Sequence, residues 1–169
     1  MNIIIETPRG SREKYKYDEE LHLFRLHKTL SAGLSFPFDF GFIPGTKGED
    51  GDPLDAMVIS EFKSFPGCIM DCRIIGCIKA EQSKNEKTIR NDRFLVIPEQ
   101  TVVFENVLSF EDLTPTLLLD IETFLTTYME LEGKEFLLLG NLDAAKAMSV
   151  LQEKMVSSNK TLARHKNLL

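Results

Sequence analysis

The chain has 169 residues, 43% of them apolar and 27% charged, a soluble globular composition at a length that one domain can fill. The sequence therefore predicts a single domain over residues 1–169. Its formal net charge of −6 argues against a general nucleic-acid surface and supplies no basic stripe for a membrane. No apolar run approaches bilayer-spanning length. The opening Met1-Asn2-Ile3-Ile4-Ile5-Glu6 lacks the basic start and apolar core of a signal peptide, so the expected compartment is the cytoplasm. Cys68, Cys72 and Cys77 are odd in number and show no C-x-x-C spacing, which predicts buried reduced thiols rather than disulfides. His22, His27 and His165 are scattered, giving no zinc pattern.

In chain order, Ile3-Ile4-Ile5 and Tyr15-Lys16-Tyr17 read as short strands divided by the Pro8-Arg9-Gly10-Ser11 turn. Leu21 to Leu26 alternates and suits a strand of a half-buried sheet. A long loop is expected from Ser31 to Pro53, punctuated by Phe36-Pro37-Phe38-Asp39-Phe40-Gly41-Phe42. Strands follow at Ala56–Ile59, Ile69–Lys79 and Phe94–Ile97. Thr114-Pro115 then reads as an N-cap with proline in the first turn. Beyond it Leu117, Ile121, Phe124, Tyr128 and Leu131 recur at helical steps, and Gly133 ends the run. Phe136–Leu139 reads as a strand, and Asp143 opens a last helix through Ala144, Ala147, Met148 and Leu151. The tail from Ser157 to Leu169 is polar, mildly basic and expected to fray. Many short strands with late helices predict a mainly β, α+β fold: a small closed barrel flanked by helices.

The chemistry concentrates in Glu49-Asp50-Gly51-Asp52-Pro53-Leu54-Asp55, four acids within seven residues. Carboxylates this close repel, so one takes a proton or a cation sits among them. Hard cations such as magnesium take oxygen ligands of this kind. Asp50 and Asp52 lie two apart and share a face if the segment is extended. A calcium loop is not matched, because Leu54 stands at the third ligand position and no glutamate closes the loop. Alone, such a stretch is equally well an Asx turn on a solvated surface.

Asp50-x-Asp52-Pro53-x-Asp55 resembles the D-x-D-P-x-D signature of the soluble family I inorganic pyrophosphatases. Ile5-Glu6-Thr7-Pro8 followed by Lys14-Tyr15 is similar to the family's E-x-P and K-Y stretch. Phe36-Pro37-Phe38-Asp39-Phe40-Gly41-Phe42-Ile43-Pro44 resembles its Y-P-x-N-Y-G-[FY]-[IV]-P, and Phe124 to Gly133 its F-x-x-Y-K-x-L-E-G-K segment. Pro66-Gly67-Cys68 and Gly76 fall in the matching order, so the resemblance runs from Ile3 to about Val150. It implies an OB-like five-stranded β-barrel with two C-terminal helices, and hydrolysis of pyrophosphate to two phosphates by a metal-activated water. Carried across, Asp50 and Asp55 bind metal, and Asp52 orients or deprotonates the water. Glu6 holds an outer metal, and Lys14, Lys28, Arg93 and Tyr128 face phosphate. The implied cofactor is Mg2+ with Mn2+ as the alternative. The implied partner is pyrophosphate, with no nucleic acid or membrane, and the implied assembly is a homo-oligomer, a hexamer in bacterial members.

Several positions depart from the family pattern. Lys16 stands where a second acid follows K-Y, and Phe36 and Phe40 replace two tyrosines. Lys28 replaces an arginine and loses its bidentate fork. Gln82-Ser83 replaces an acidic pair, within a longer loop from Glu81 to Arg90. Asn91 replaces the metal-binding aspartate of D-x-K, with Arg93 in place of its lysine and Met129 in place of the lysine after Tyr128. Asp92 is adjacent, but strand alternation points it to the opposite face unless a bulge intervenes. Either Asn91 or Asp92 thus completes the metal set. Three readings follow: a pyrophosphatase with fewer metals; a hydrolase of another phosphoanhydride or phosphate ester, with Phe36 and Phe40 as an apolar wall; or a metal-dependent binding protein without turnover.

Overall fold

A computed structural model describes residues 1–156; the tail expected to fray, 157–169, lies outside them. The elements in order are β1 (Asn2–Thr7), β2 (Glu13–Asp18), β3 (Leu23–Thr29), β4 (Asp39–Ile43), β5 (Leu54–Val58), β6 (Ile69–Lys84), β7 (Lys87–Arg90), β8 (Arg93–Pro98), α1 (Pro115–Leu131), β9 (Glu135–Asp143) and α2 (Ala144–Lys154).

Strand pairing runs β1-β4-β5-β8-β6 and returns from β6 to β1, closing a ring of five strands. β5 and β8 pair parallel, while the other neighbours in the ring are antiparallel. β6 is long enough to leave the ring, where it also pairs with β7 and β9. The mainly β fold with flanking helices is as the sequence predicts. Both faces of the central strands are covered. Met57, Leu95 and Ile97 join Ile121, Phe124 and Leu125 of α1, while Val58, Phe94 and Val96 join Ala147 and Leu151 of α2. Strands buried on both sides lose polar alternation, which is why β5 and β8 read as plain apolar runs.

Local signals place the helices. The Thr114 side chain accepts the Leu117 N–H, and the Asp143 side chain accepts the Lys146 N–H, each satisfying a donor that helix geometry leaves orphaned. Gly133 follows α1 with φ of 68°, a left-handed stop.

Four expectations are corrected. The stretch from 31 to 53 is not all loop: β4 lies inside it, buried at every residue and paired on both edges. Its flanking prolines and Gly41 read as turn signals, yet Gly41 is a packing requirement, because a Cβ there would meet the Ile4 carbonyl oxygen at 2.0 Å. The segment from Glu81 to Arg90 is a β6–β7 hairpin turning at Asn85 and Glu86, both at positive φ. The strand read at Leu21–Leu26 begins at Leu23 and, among the described residues, pairs only with β2. His22 takes the left-handed turn, and Leu21, Leu23 and Leu26 are exposed. Leu131, read on the same helical repeat as Ile121, Phe124 and Tyr128, does not share their burial and is exposed. Of the cysteines, Cys72 and Cys77 are buried and Cys68 is partly exposed, all three free.

Candidate active site

The acidic turn hangs between β4 and β5 and is held from behind. The buried Thr46 hydroxyl donates to the Ile43 carbonyl at 2.6 Å and accepts the Leu54 N–H at 2.9 Å, tying the two strand ends together. Gly48 N–H donates to the Asp52 carbonyl, and Gly51 turns the chain at φ of 89°. The Asp52 N–H in turn donates to Asp50 Oδ1 at 3.1 Å. Glu49 points away and accepts the Arg90 N–H at 2.9 Å.

This turn forms one wall of a cleft of about 400 Å³. Among the described residues, the carboxylates of Glu6, Glu19, Asp50, Asp52 and Asp55 line it, and so do the cations Lys14, Lys16, Lys28, Arg93 and Lys134. β2 delivers Lys14 and Lys16 two residues apart on the same face. The register of parallel β5 and β8 sets Asp55 beside Arg93, whose Nη1 reaches Asp55 Oδ2 at 2.7 Å. α1 brings the Tyr128 hydroxyl to the Lys14 ammonium at 3.2 Å, with the Lys28 ammonium over the same ring. Lys28 itself pairs with Glu132 just beyond the helix end.

Charge states follow the surroundings. Burial raises Glu6 above the ordinary glutamate value and Asp55 adds to this, although the Tyr17 N–H donated to Glu6 works the other way. Burial likewise raises Asp50, with Asp55 and Asp52 adding repulsion against the hydrogen bond from the Asp52 N–H. The hydrogen bond to Asp52 raises Lys16, whose Nζ lies 2.7 Å from Asp52 Oδ2. Burial lowers Lys134, opposed by Tyr128 but reinforced by the charges of Lys28, Lys14 and Arg93. Burial lowers Lys28 too, yet Glu132 and Tyr128 outweigh it and leave that lysine above its usual value.

Among the sequence-predicted residues, the structure brings together Glu6, Lys14, Lys28, Asp50, Asp52, Asp55, Asn91, Arg93 and Tyr128. Asp92 is not among them. It is nearly buried, lines a smaller neighbouring pocket with Asp50, Asp55 and Asn91, and already accepts the Ala80 N–H at 3.0 Å and Arg90 Nε at 2.5 Å. Phe36 and Phe40 do not form a cleft wall either: they are 1% and 3% exposed and pack on each other in the core. Lys134, His27 and Tyr17 line the cleft without having been singled out. The signal for Lys134 is its place directly after Gly133, whose turn returns the chain toward the site. For His27 the sequence carries no signal.

Among the described residues, no three His, Cys, Asp or Glu side chains converge into a closed metal cage. Magnesium seldom needs one, since it binds through one or two carboxylates and takes water and substrate phosphate for the rest. Asp50, which has no cationic partner among the described residues, supplies oxygens of that kind, with Asp55 close enough to perturb it. The donor set fits a hard cation shared with a phosphate ligand.

Carboxylates and cations lining one cleft on a closed β ring are the groups that a hard cation and a phosphate-type oxyanion take. The inorganic pyrophosphatase family model matches residues 3–159. An inorganic pyrophosphatase of Methanosarcina mazei is 36% identical over 151 residues, covering 89% of this chain and 87% of the relative. One from Synechocystis is 35% identical over 153 residues, 90% and 88% of the two chains. The crystal structure of the Thermus thermophilus inorganic pyrophosphatase superposes with a TM-score of 0.85 at 29% identity, over 95% of this chain and 91% of the other. The chain belongs to the inorganic pyrophosphatase family.

Proposed function

We propose that this cleft hydrolyses inorganic pyrophosphate to two phosphates, making the chain an inorganic diphosphatase that works as one domain. The observation that carries the proposal is that Asp50, Asp52 and Asp55 share a single cleft with Lys14, Lys28, the Tyr128 hydroxyl and the Asp55-paired Arg93. Relatives that are named inorganic pyrophosphatase, and that this chain covers nearly end to end, support the choice of substrate.

The cations bind and orient the phosphate oxygens, and charge-assisted hydrogen bonds strengthen that hold. Asp52, turned into the cleft and about half exposed, is the base that takes the proton of the attacking water at a carboxylate oxygen. Asp50 and Asp55 are the donors for magnesium, or alternatively manganese, with Glu6 and Asn91 beside them. When bound, such a cation lowers the pKa of water and neutralises charge on the leaving phosphate. A homo-oligomer, hexameric as the family resemblance implies, and a cytoplasmic site of action complete the proposal. No helix among the described residues is long and apolar enough to cross a membrane.

A second reading, diphosphate binding without turnover, is favoured by one observation: Lys16 already holds the Asp52 oxygen that the base would use. The reading of a different phosphoanhydride or ester loses its apolar wall, because Phe36 and Phe40 are buried. A phosphate-release assay across pyrophosphate, nucleoside triphosphates and sugar phosphates, with magnesium or manganese, separates the readings. Release from pyrophosphate alone is expected. Metal-dependent pyrophosphate binding with no release, unaffected by Asp52→Asn, would establish the second reading instead.

A further inference from the structure

The acidic wall is already partly neutralised by the chain itself. Arg93 is bound to Asp55, and Lys16 is bound to Asp52 with no other side-chain partner among the described residues. The position of Lys16 is imposed by the sheet. It follows Lys14 by two residues on β2, so both side chains project from one strand face, Lys14 toward Tyr128 and Lys16 toward the acidic turn. Glu6 and Asp50 line the same cleft as Lys16, and Asp52 is the carboxylate it touches. Carboxylates crowded at this spacing require a nearby cation or a proton. A divalent ion approaching Asp52 therefore meets an oxygen that already holds an ammonium, and must displace it or face it.

We propose that Lys16 is a tethered cation, which competes with divalent metal for Asp52 and supplies charge neutralisation that metal would otherwise bring to the cleft. The diphosphate then enters a cleft that needs less divalent ion to accept it. Only this last step rests on the pyrophosphate reading given above; competition for Asp52 does not.

The test uses the intact protein and its Lys16→Gln and Lys16→Met variants. The first measurement titrates Mn2+ alone, with free ion followed by electron paramagnetic resonance. Both variants are expected to bind Mn2+ at least tenfold more tightly than wild type, with circular dichroism unchanged. Equal affinity within twofold in wild type and both variants would overturn the proposal. The second measurement titrates pyrophosphate, as its non-hydrolysable methylene analogue, by calorimetry, in chelator and in excess magnesium. Wild type is expected to lose less affinity on chelation than either variant, by at least fivefold. Equal losses in all three proteins would overturn the role of Lys16 in accepting the anion. A Mn2+ difference without pyrophosphate binding by any of the three would uphold the competition and count against pyrophosphate as the ligand.

Discussion

Asp55 and Arg93 stand side by side on parallel strands β5 and β8, joined at 2.7 Å, with the arginine side chain 4% exposed and the aspartate 25%. Arg93 Nη1 also donates to the Asn91 carbonyl at 3.1 Å and to the Asp92 carbonyl at 3.2 Å. The arginine thus ties together the residues on which the site depends. Removing one member of a buried pair strands the other, at about 3–5 kcal/mol. Because Asp55 keeps some solvent, Arg93→Met is expected to lower stability by about 2–4 kcal/mol in urea unfolding. Asp55→Asn is expected to cost less, since Arg93 retains its carbonyl acceptors. The reverse order would show that the pair is not what anchors β8.

Asp52 belongs to chemistry rather than to stability. Its pair with Lys16 has both side chains about half in solvent, 53% and 47% exposed, a setting in which ion pairs are worth about 0–1 kcal/mol. Asp52→Asn should leave the melting temperature nearly unchanged. It should lower phosphate release from pyrophosphate by about 10²–10⁴-fold, the usual contribution of a positioned base. Release within threefold of wild type would remove Asp52 from the mechanism.

Gly41 is required by the closure of the ring. A methyl group there would lie 2.0 Å from the Ile4 carbonyl oxygen and 2.9 Å from Ile5 Cα, both backbone atoms that a rotamer change cannot move. Gly41→Ala must part β1 from β4, and a loss of at least about 3 kcal/mol is expected, in the upper range for single substitutions. Thermal unfolding within a few degrees of wild type would show that the strands separate at little cost.

Glu61 governs one part of the acid sensitivity. Its carboxylate accepts the Thr101 hydroxyl at 2.6 Å and the Val102 N–H at 2.8 Å, fastening the loop after β8. The Thr101 hydrogen bond, with the backbone donors, holds its pKa down to about 2 from 4.5. The folded state therefore favours the ionised form, and the resulting stability is complete above pH 4.5 and is lost as pH falls toward 2. Glu61→Gln should lower stability at pH 7, and its difference from wild type should shrink between pH 4.5 and 2. Urea unfolding at several pH values reads this directly, and a difference independent of pH would refute it.

What the sequence determined by itself was carried by short-range physics. Thr114-Pro115, Gly133 and Asp143 mark the helix ends through caps and backbone conformation that depend on immediate neighbours. Asp50, Asp52 and Asp55 sit within six residues, so their acidic turn was legible before any partner was known. The tertiary structure decided what depends on long-range closure. β4 is a strand only because β1 and β5 flank it, although Pro37 and Gly41 read as loop punctuation. In the two-residue link between β7 and β8, Asn91 lines the cleft while the Asp92 carboxylate is taken by the Ala80 N–H and Arg90. Lys16 meets Asp52 across 36 positions and Lys14 meets Tyr128 across 114. No local propensity encodes such distances. They follow from burying both faces of a closed sheet, which fixes strand order and register and thereby selects which charges meet.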